Sequence, residues 1–442
     1  MKTLIKNGRV IDPATGFDEI CDLAVAASKV VAIKNIASDF VPNKTIDATG
    51  CIVSPGLVDL AARLREPGYE HAGMLQSELA AAVAGGVTSL VCMPDTDPVL
   101  DEPGLVEMLK FRAEKLHQSH VFPLGALTVN LQGEVLTEMV GLAEAGCVGF
   151  SQAEVPLVNT QVLQRALQYA STFGYTVWLR PQDMHLGKGV AASGPLATRM
   201  GLSGIPVAAE TIALHTIFEL MKATTGSRVH ICRISSAAGV ALVRQAKADG
   251  LLVSCDVSIN SLHLTDTDLG YYDSRARLNP PLRQQRDRDA LRAALADGTI
   301  DALVSDHTPV SDDAKTLPFA EAEAGATGLE LLLSLALKWQ SETTDKSLTL
   351  AKALATLTSQ PAKVLAANVL AANVPLANAN LGQVGQLVVG GVADICIFDP
   401  QAMWVVADDA LRSQGKHTPF SGYELPGQVV ATLVAGHVAF ER

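Results

Sequence analysis

Two hydrophobic rhythms divide the chain. Over residues 2–53, apolar positions such as Leu4-Ile5, Val10-Ile11, Leu23, Val25, Val30-Val31, Ile33 and Ile46 alternate with polar ones, and Asn7-Gly8, Asp12-Pro13 and Thr15-Gly16 punctuate them. Period-2 alternation broken by turn residues predicts short antiparallel strands. The same rhythm returns over residues 383–399 and 428–441, in Gln386–Val389, Ala393–Phe398 and Val429–Val434, with Gly390-Gly391 and Ala435-Gly436 as turns. Edge strands at both ends need partners, so residues 1–53 and 383–442 are expected to form one composite small β domain.

Between them the pattern changes. Apolar runs, Thr88–Met93, Val148–Phe150, Thr176–Leu179, Val229–Cys232, Leu252–Cys255 and Ile300–Ser305, alternate with Ala- and Leu-rich helical stretches, Leu75–Ala84, Gln161–Ser171, Glu210–Ala223, Gly239–Ala248 and Gly328–Leu337. Buried strand alternating with amphipathic helix predicts a parallel α/β architecture, and a barrel over residues 54–382 fits the length. One stretch breaks the rhythm: Leu365–Val369 is copied at once as Leu370–Val374 and runs on to Asn380. This Ala- and Asn-rich insert, residues 365–380, reads as a linker or helix extension.

Composition narrows the class. With 442 residues, 48% of them hydrophobic, the chain has material for a large core and a satellite, because single cores stop growing near ~250–300 residues. A formal charge of −12 argues against nucleic acid or an anionic membrane as partner. There is no apolar run of ~20 residues, and Met1–Gly8 passes straight into strand pattern without a signal-peptide core, so a cytoplasmic protein is expected. Seven scattered cysteines with no Cys-x-x-Cys read as small buried hydrophobes.

The candidate chemistry sits in Pro55–Gly68, an apolar strand running into a polar loop. The stretch resembles the metal signature of dihydroorotases and related cyclic amidohydrolases, Pro-Gly-Leu-Val-Asp-x-His-x-His-Leu-Arg-Glu-Pro-Gly. Further blocks carry the likeness in order: Ala84–Thr96, Ala276–Arg283, Ser305–Pro309, Gly325–Glu330, Gly391–Asp394 and Thr418–Gly422. The resemblance runs to about Val438 and implies a (β/α)8 TIM barrel of the metal-dependent hydrolase type, with a small β-sandwich built from both termini.

In that family one or two zinc ions are held by paired histidines, a carboxylated lysine or an aspartate, two further histidines and a final aspartate. Here the paired positions are Ala61 and Arg63, the bridging position falls within Ser151-Gln152-Ala153, and the later histidines align with Arg180 and Arg233. Asp306 alone remains. Zinc needs three or more N, O or S donors and guanidinium never serves, so the resemblance with these replacements implies a chain without metal or other cofactor, and not an enzyme. His185, His230 and His307 could be imagined as a substitute triad, but without ligand spacing structural roles fit them better. Arg65 and Asn279 match positions where the family grips the substrate carboxylate and ring, whereas Asp95 replaces an asparagine and Val310 a histidine, so dihydroorotate recognition is expected to be lost. Arg63, Arg180 and Arg233 are expected to fill volume and balance charge, at least one pairing with Asp306, which Glu66 is expected to face.

The role this resemblance implies is that of a noncatalytic subunit assembling with the aspartate carbamoyltransferase catalytic chain in pyrimidine biosynthesis, as a homodimer or larger hetero-oligomer. Two alternatives stay open. One is a metal-independent or mononuclear amidohydrolase using Asp306 as base with His307 or His230. The other is an anion sensor built on Arg63, Arg65, Arg180 and Arg233, against which stands internal pairing with Asp306, Asp95 and Glu66.

Overall fold

Strand Leu57–Ala62 is buried along its whole length, so it has to be covered on both faces. The computed structural model, which describes residues 2–344, 347–371 and 384–442, places it as the first staff of a parallel barrel. Val87–Cys92, His120–Pro123 continued by Gly125–Ala126, Phe150–Ser151, Thr176–Leu179, Arg228–Ile231, Leu252–Ser258 and Ala302–Val304 follow, each paired in parallel with its predecessor. A parallel bridge between Ala62 and His307 closes the ring, and Asp59 Oδ1 accepts from Ser305 N at 3.0 Å across the same seam. Val58, Leu60, Ala61, Val91, Leu124, Trp178, Cys232 and Val304 pack as one apolar cluster, so the barrel is filled rather than hollow.

Helices alternate with these strands. Leu75–Ala84 forms where the sequence predicts it, and Thr160–Phe173 is longer than expected at both ends because Asn159 Oδ1 caps the amide of Gln161 at 3.0 Å and Gly174 turns left-handed after the last residue. The helix expected at Gly328–Leu337 opens instead with a 3₁₀ turn, Leu329–Leu331, and continues as Leu332–Glu342. Residues 365–371 of the duplicated insert extend helix Ser359–Ala371; the rest of that stretch lies outside the described residues.

The two ends of the chain share one eight-stranded sheet that curls around Ile5, Val10, Leu23, Val53, Ile395, Ile397 and Leu433 as a small β-sandwich. Its pairing corrects the expectation in two ways. Lys2–Asp12 is antiparallel to Phe17–Ala26 but parallel to Lys44–Asp47 and Ile52–Pro55, because the loop between Ile33 and Lys44 carries the chain back across the sheet. Gln386–Val389 forms no strand; only Gly390 and Gly391 beyond it bond to Val30, at 2.8 and 3.0 Å. The chain leaves the sheet at Pro55 and enters the barrel at Leu57, so Gly56 alone separates them, and a Cβ there would lie 2.1 Å from Thr88 Oγ1. All seven cysteines are free thiols, and among the described residues no helix is long and apolar enough to cross a membrane.

Candidate functional site: an arginine-filled barrel mouth

Every residue singled out at the mouth follows the carboxyl end of a barrel strand or lies on a loop above one. Arg63 and Arg65 follow Leu57–Ala62, Asp95 follows Val87–Cys92, Arg180 follows Thr176–Leu179, Arg233 follows Arg228–Ile231 and Asp306 follows Ala302–Val304. The backbone is left-handed at Arg65 (φ 64°), Ala153 (φ 51°), Arg233 (φ 54°) and Asp306 (φ 52°). Such values are unusual away from glycine and cluster at functional sites; here the guanidiniums of Arg63, Arg180 and Arg233 converge on one point.

That point is the carboxylate of Glu154. Its Oε1 accepts from Arg63 Nη2 at 2.8 Å and from Arg233 Nη2, and its Oε2 accepts from Arg180 Nη1 at 2.9 Å and Asn279 Nδ2 at 2.8 Å. The guanidiniums are fixed from outside as well. Arg63 donates to Asp95 Oδ2 at 2.8 Å and Thr308 Oγ1 at 3.1 Å, Arg180 to Asn279 Oδ1 at 2.6 Å, and Arg233 to Asp306 Oδ1 at 3.0 Å. Burial alone would raise the Glu154 carboxyl, but Arg233, Arg180 and Arg63 outweigh it and hold it well below the ordinary carboxylate range. At Asp306 the balance falls the other way: burial raises its carboxyl despite Arg233 and Arg63. Arg180 is pushed down by burial to about 10 and keeps its proton at neutral pH.

The Asp306–Arg233 pair meets the expectation of charge balance; the other carboxylates do not all sit where the sequence suggested. Glu66 does not face Asp306. After the left-handed turn at Arg65 it is buried elsewhere, accepting from Leu75 N at 2.8 Å and pairing with Arg112. Arg65 lies at the rim of a pocket of about 160 Å³ at the mouth, donating to Pro309 O at 2.8 Å and Glu323 Oε1 at 3.1 Å. Glu154 is not among the residues singled out from the sequence, where the bridging position falls within Ser151–Ala153. Its signal was an acid four residues past the apolar run Val148–Phe150, in the loop that leaves that strand.

The three histidines are not brought together as a triad. His307 Nε2 donates to Glu78 at 2.8 Å while its Nδ1 accepts from Gly328 N at 3.2 Å, all beneath the mouth. His230 lies between Ser254 Oγ at 2.8 Å and Asp256 Oδ2 at 2.9 Å, and His185 is exposed. Among the described residues, His230, Cys232 and Asp256 form one group of potential metal donors. Burial lifts the Cys232 thiol well above its ordinary range, and Asp256 Oδ1 is taken by Arg233 N at 2.6 Å, so this group reads as the support that aims Arg233.

The donor set decides whether the zinc that the resemblance implies fits this mouth. Ala61 offers no donor and is buried in the apolar cluster. Arg63, Arg180 and Arg233 offer only protonated nitrogens, and the carboxylates of Glu154 and Asp306 are already engaged by those same guanidiniums. The residues present do not fit the family's zinc.

Comparison with known proteins places the chain. Residues 50–238 match the family model described as dihydro-orotase-like. A "Dihydroorotase-like protein" of Pseudomonas aeruginosa is 43% identical over 442 residues, covering 100% of both chains, and one of Pseudomonas putida is 44% identical over 439 residues, covering 99% of each. A "Dihydroorotase" of Geobacter metallireducens is 39% identical over 443 residues, again covering 100% of both. Among solved structures, the L-hydantoinase (dihydropyrimidinase) from Arthrobacter aurescens superposes with a TM-score of 0.85 at 25% identity, over 99% of this chain and 96% of that one. These likenesses correct the expectation that the chain is not an enzyme: full-length relatives named dihydroorotase, and a hydantoinase neighbour, point to hydrolase activity. With identity near two-fifths sustained from end to end, this chain belongs to the dihydroorotase-like family of the amidohydrolase fold.

Proposed function

We propose that the chain serves pyrimidine biosynthesis as a dihydroorotase-like subunit that supports the assembly of an aspartate carbamoyltransferase complex. The observation that carries this reading is the mouth: three buried guanidiniums close on Glu154 where the family places metal, while the remainder of a full-length family fold is kept. A fold retained whole around so altered a centre owes part of its use to its surfaces. Co-expression with the aspartate carbamoyltransferase catalytic chain of the same genome, followed by size-exclusion chromatography with light scattering, tests it. A stable hetero-oligomer supports the reading, and two species eluting separately at all concentrations refute it.

The relatives' names favour a second, compatible reading, hydrolysis of a cyclic amide at the same mouth. Asp306, its carboxyl raised by burial, is then the candidate base, and the Arg63 and Arg233 guanidiniums would stabilise the developing oxyanion. Turnover of dihydroorotate and hydantoin by the purified chain, before and after Asp306→Asn, tests this reading. Ring opening that disappears in the variant supports it, and absence of turnover in the wild type refutes it.

A further inference from the structure

The donors around Glu154 are built more firmly than the carboxylate they hold. Arg63, Arg180 and Arg233 follow barrel strands, their side chains are 6%, 6% and 3% exposed, and each keeps a second partner, respectively Asp95, Asn279 and Asp306. They therefore stay aimed if the carboxylate leaves. Glu154 comes from the opposite kind of place. It sits in the loop between strand Phe150–Ser151 and helix Thr160–Phe173, where no strand ladder ties the backbone, and its side chain is 30% exposed. Val155 and Val158 in the same loop are 42% and 56% exposed, and the amide of Val155 bonds to Gln152 O at 3.1 Å within the loop itself.

Charge and spare capacity point the same way. Without Glu154, the salt bridges that Arg63, Arg180 and Arg233 keep among the described residues are those to Asp95 and Asp306, three positive charges against two negative. Arg233 Nε is buried and has no acceptor among the described residues, so this guanidinium has a donor to spare beyond those given to Glu154 and Asp306. The pocket of about 160 Å³ lined by Arg63, Glu154, Arg233 and Asp306 gives room beside it.

We propose that Arg63, Arg180, Arg233 and Asn279 form a carboxylate-binding site that Glu154 closes in cis, and that a small carboxylate-bearing molecule takes the seat when the Glu154 loop swings out. The cis carboxylate acts at the high effective concentration of a short tether, so it weakens the apparent affinity of any free competitor.

Propionate, which reproduces the whole side chain of Glu154 from Cβ to the carboxylate, tests the proposal on the full chain, with propionamide as the uncharged isostere and chloride to match ionic strength. The expected result is that E154A melts below wild type, that propionate restores its melting temperature saturably, and that its apparent Kd is at least tenfold tighter than that of wild type. The double variant E154A/R233M should lose the effect. Propionate acting on E154A no better than propionamide, or binding wild type as tightly as E154A, overturns the proposal. In wild-type protein, high propionate should accelerate amide exchange across residues 153–158 relative to propionamide, and unchanged exchange there overturns the swing-out even if E154A does not fold.

Discussion

Glu154→Gln keeps the shape of the side chain and removes its charge, leaving three buried guanidiniums to face one another. At charge separations near ~4 Å and an effective dielectric of ~20, each lost attraction is worth about 4 kcal/mol before the relief of burying the carboxylate is subtracted. Removing one member of a buried ionic cluster costs about 3–5 kcal/mol net, and because the Glu154 side chain is 30% exposed, water screens part of it and the lower end applies. With an unfolding entropy of ~2.1 cal/mol/K per residue, about 3 kcal/mol lowers the melting temperature of a chain this long by about 3 °C. The folded carboxyl is depressed, so its contribution is fully present above the ordinary carboxylate pKa and is lost as pH falls toward the folded value. The gap between wild type and variant in calorimetry should therefore be full at pH 7 and shrink steadily below about pH 4.5. Equal melting temperatures at pH 7, or a gap that does not depend on pH, would refute the view that Glu154 holds the mouth together.

Three further outcomes follow from groups around that centre. Glu330 is buried and its carboxyl is pushed up to about 7, mainly by burial, although Arg412 N and Ser413 N donate to it. A raised folded pKa gives stability that is present below about pH 4.5 and lost as pH climbs to about 7, about 3 kcal/mol in all, so Glu330→Gln should flatten the denaturant-unfolding profile over that window. Lys315, only 1% exposed, donates to the carbonyls of Arg277 at 3.0 Å, Glu323 at 2.9 Å and Gly325 at 2.5 Å. Lys315→Met should cost about 2–4 kcal/mol and speed amide exchange at residues 323–326 on the pocket rim. Because the donors at the mouth do not suit zinc, dialysis against a chelator should leave the melting temperature unchanged, which differential scanning fluorimetry reads directly.

The architecture was legible because it is written twice, in the strand–helix alternation and in motif blocks kept in order. Thr176–Leu179 and Leu75–Ala84 fall on their predicted bounds. Pairing direction within the terminal sheet was not legible, since period-2 alternation says which face is buried and nothing about which way the neighbour runs. At the mouth, Arg63 and Asp306 lie in long motif blocks and Arg180 and Arg233 in short patterns just past apolar strands, so each could be read from the sequence as a mouth residue. Glu154 could not, because its strand, Phe150–Ser151, is two residues long and offers no periodicity to fix where the next side chain points. Glu66 was misplaced because a left-handed residue at Arg65 breaks the alternation that its position would otherwise obey. His307 adjoins Asp306 in sequence yet serves Glu78 beneath the mouth.

The single-residue passage at Gly56 ties together parts of the molecule that look separable. The backbone that pairs with Cys396 at Ser54 becomes, within ten residues, the backbone that carries Arg63 to the mouth. With a Cβ at Gly56 barred by Thr88, a larger residue at this join would displace the start of the strand that leads to Arg63 as well as the end of the sheet. The join is thus a place where one side chain bears on both the sandwich and the barrel mouth.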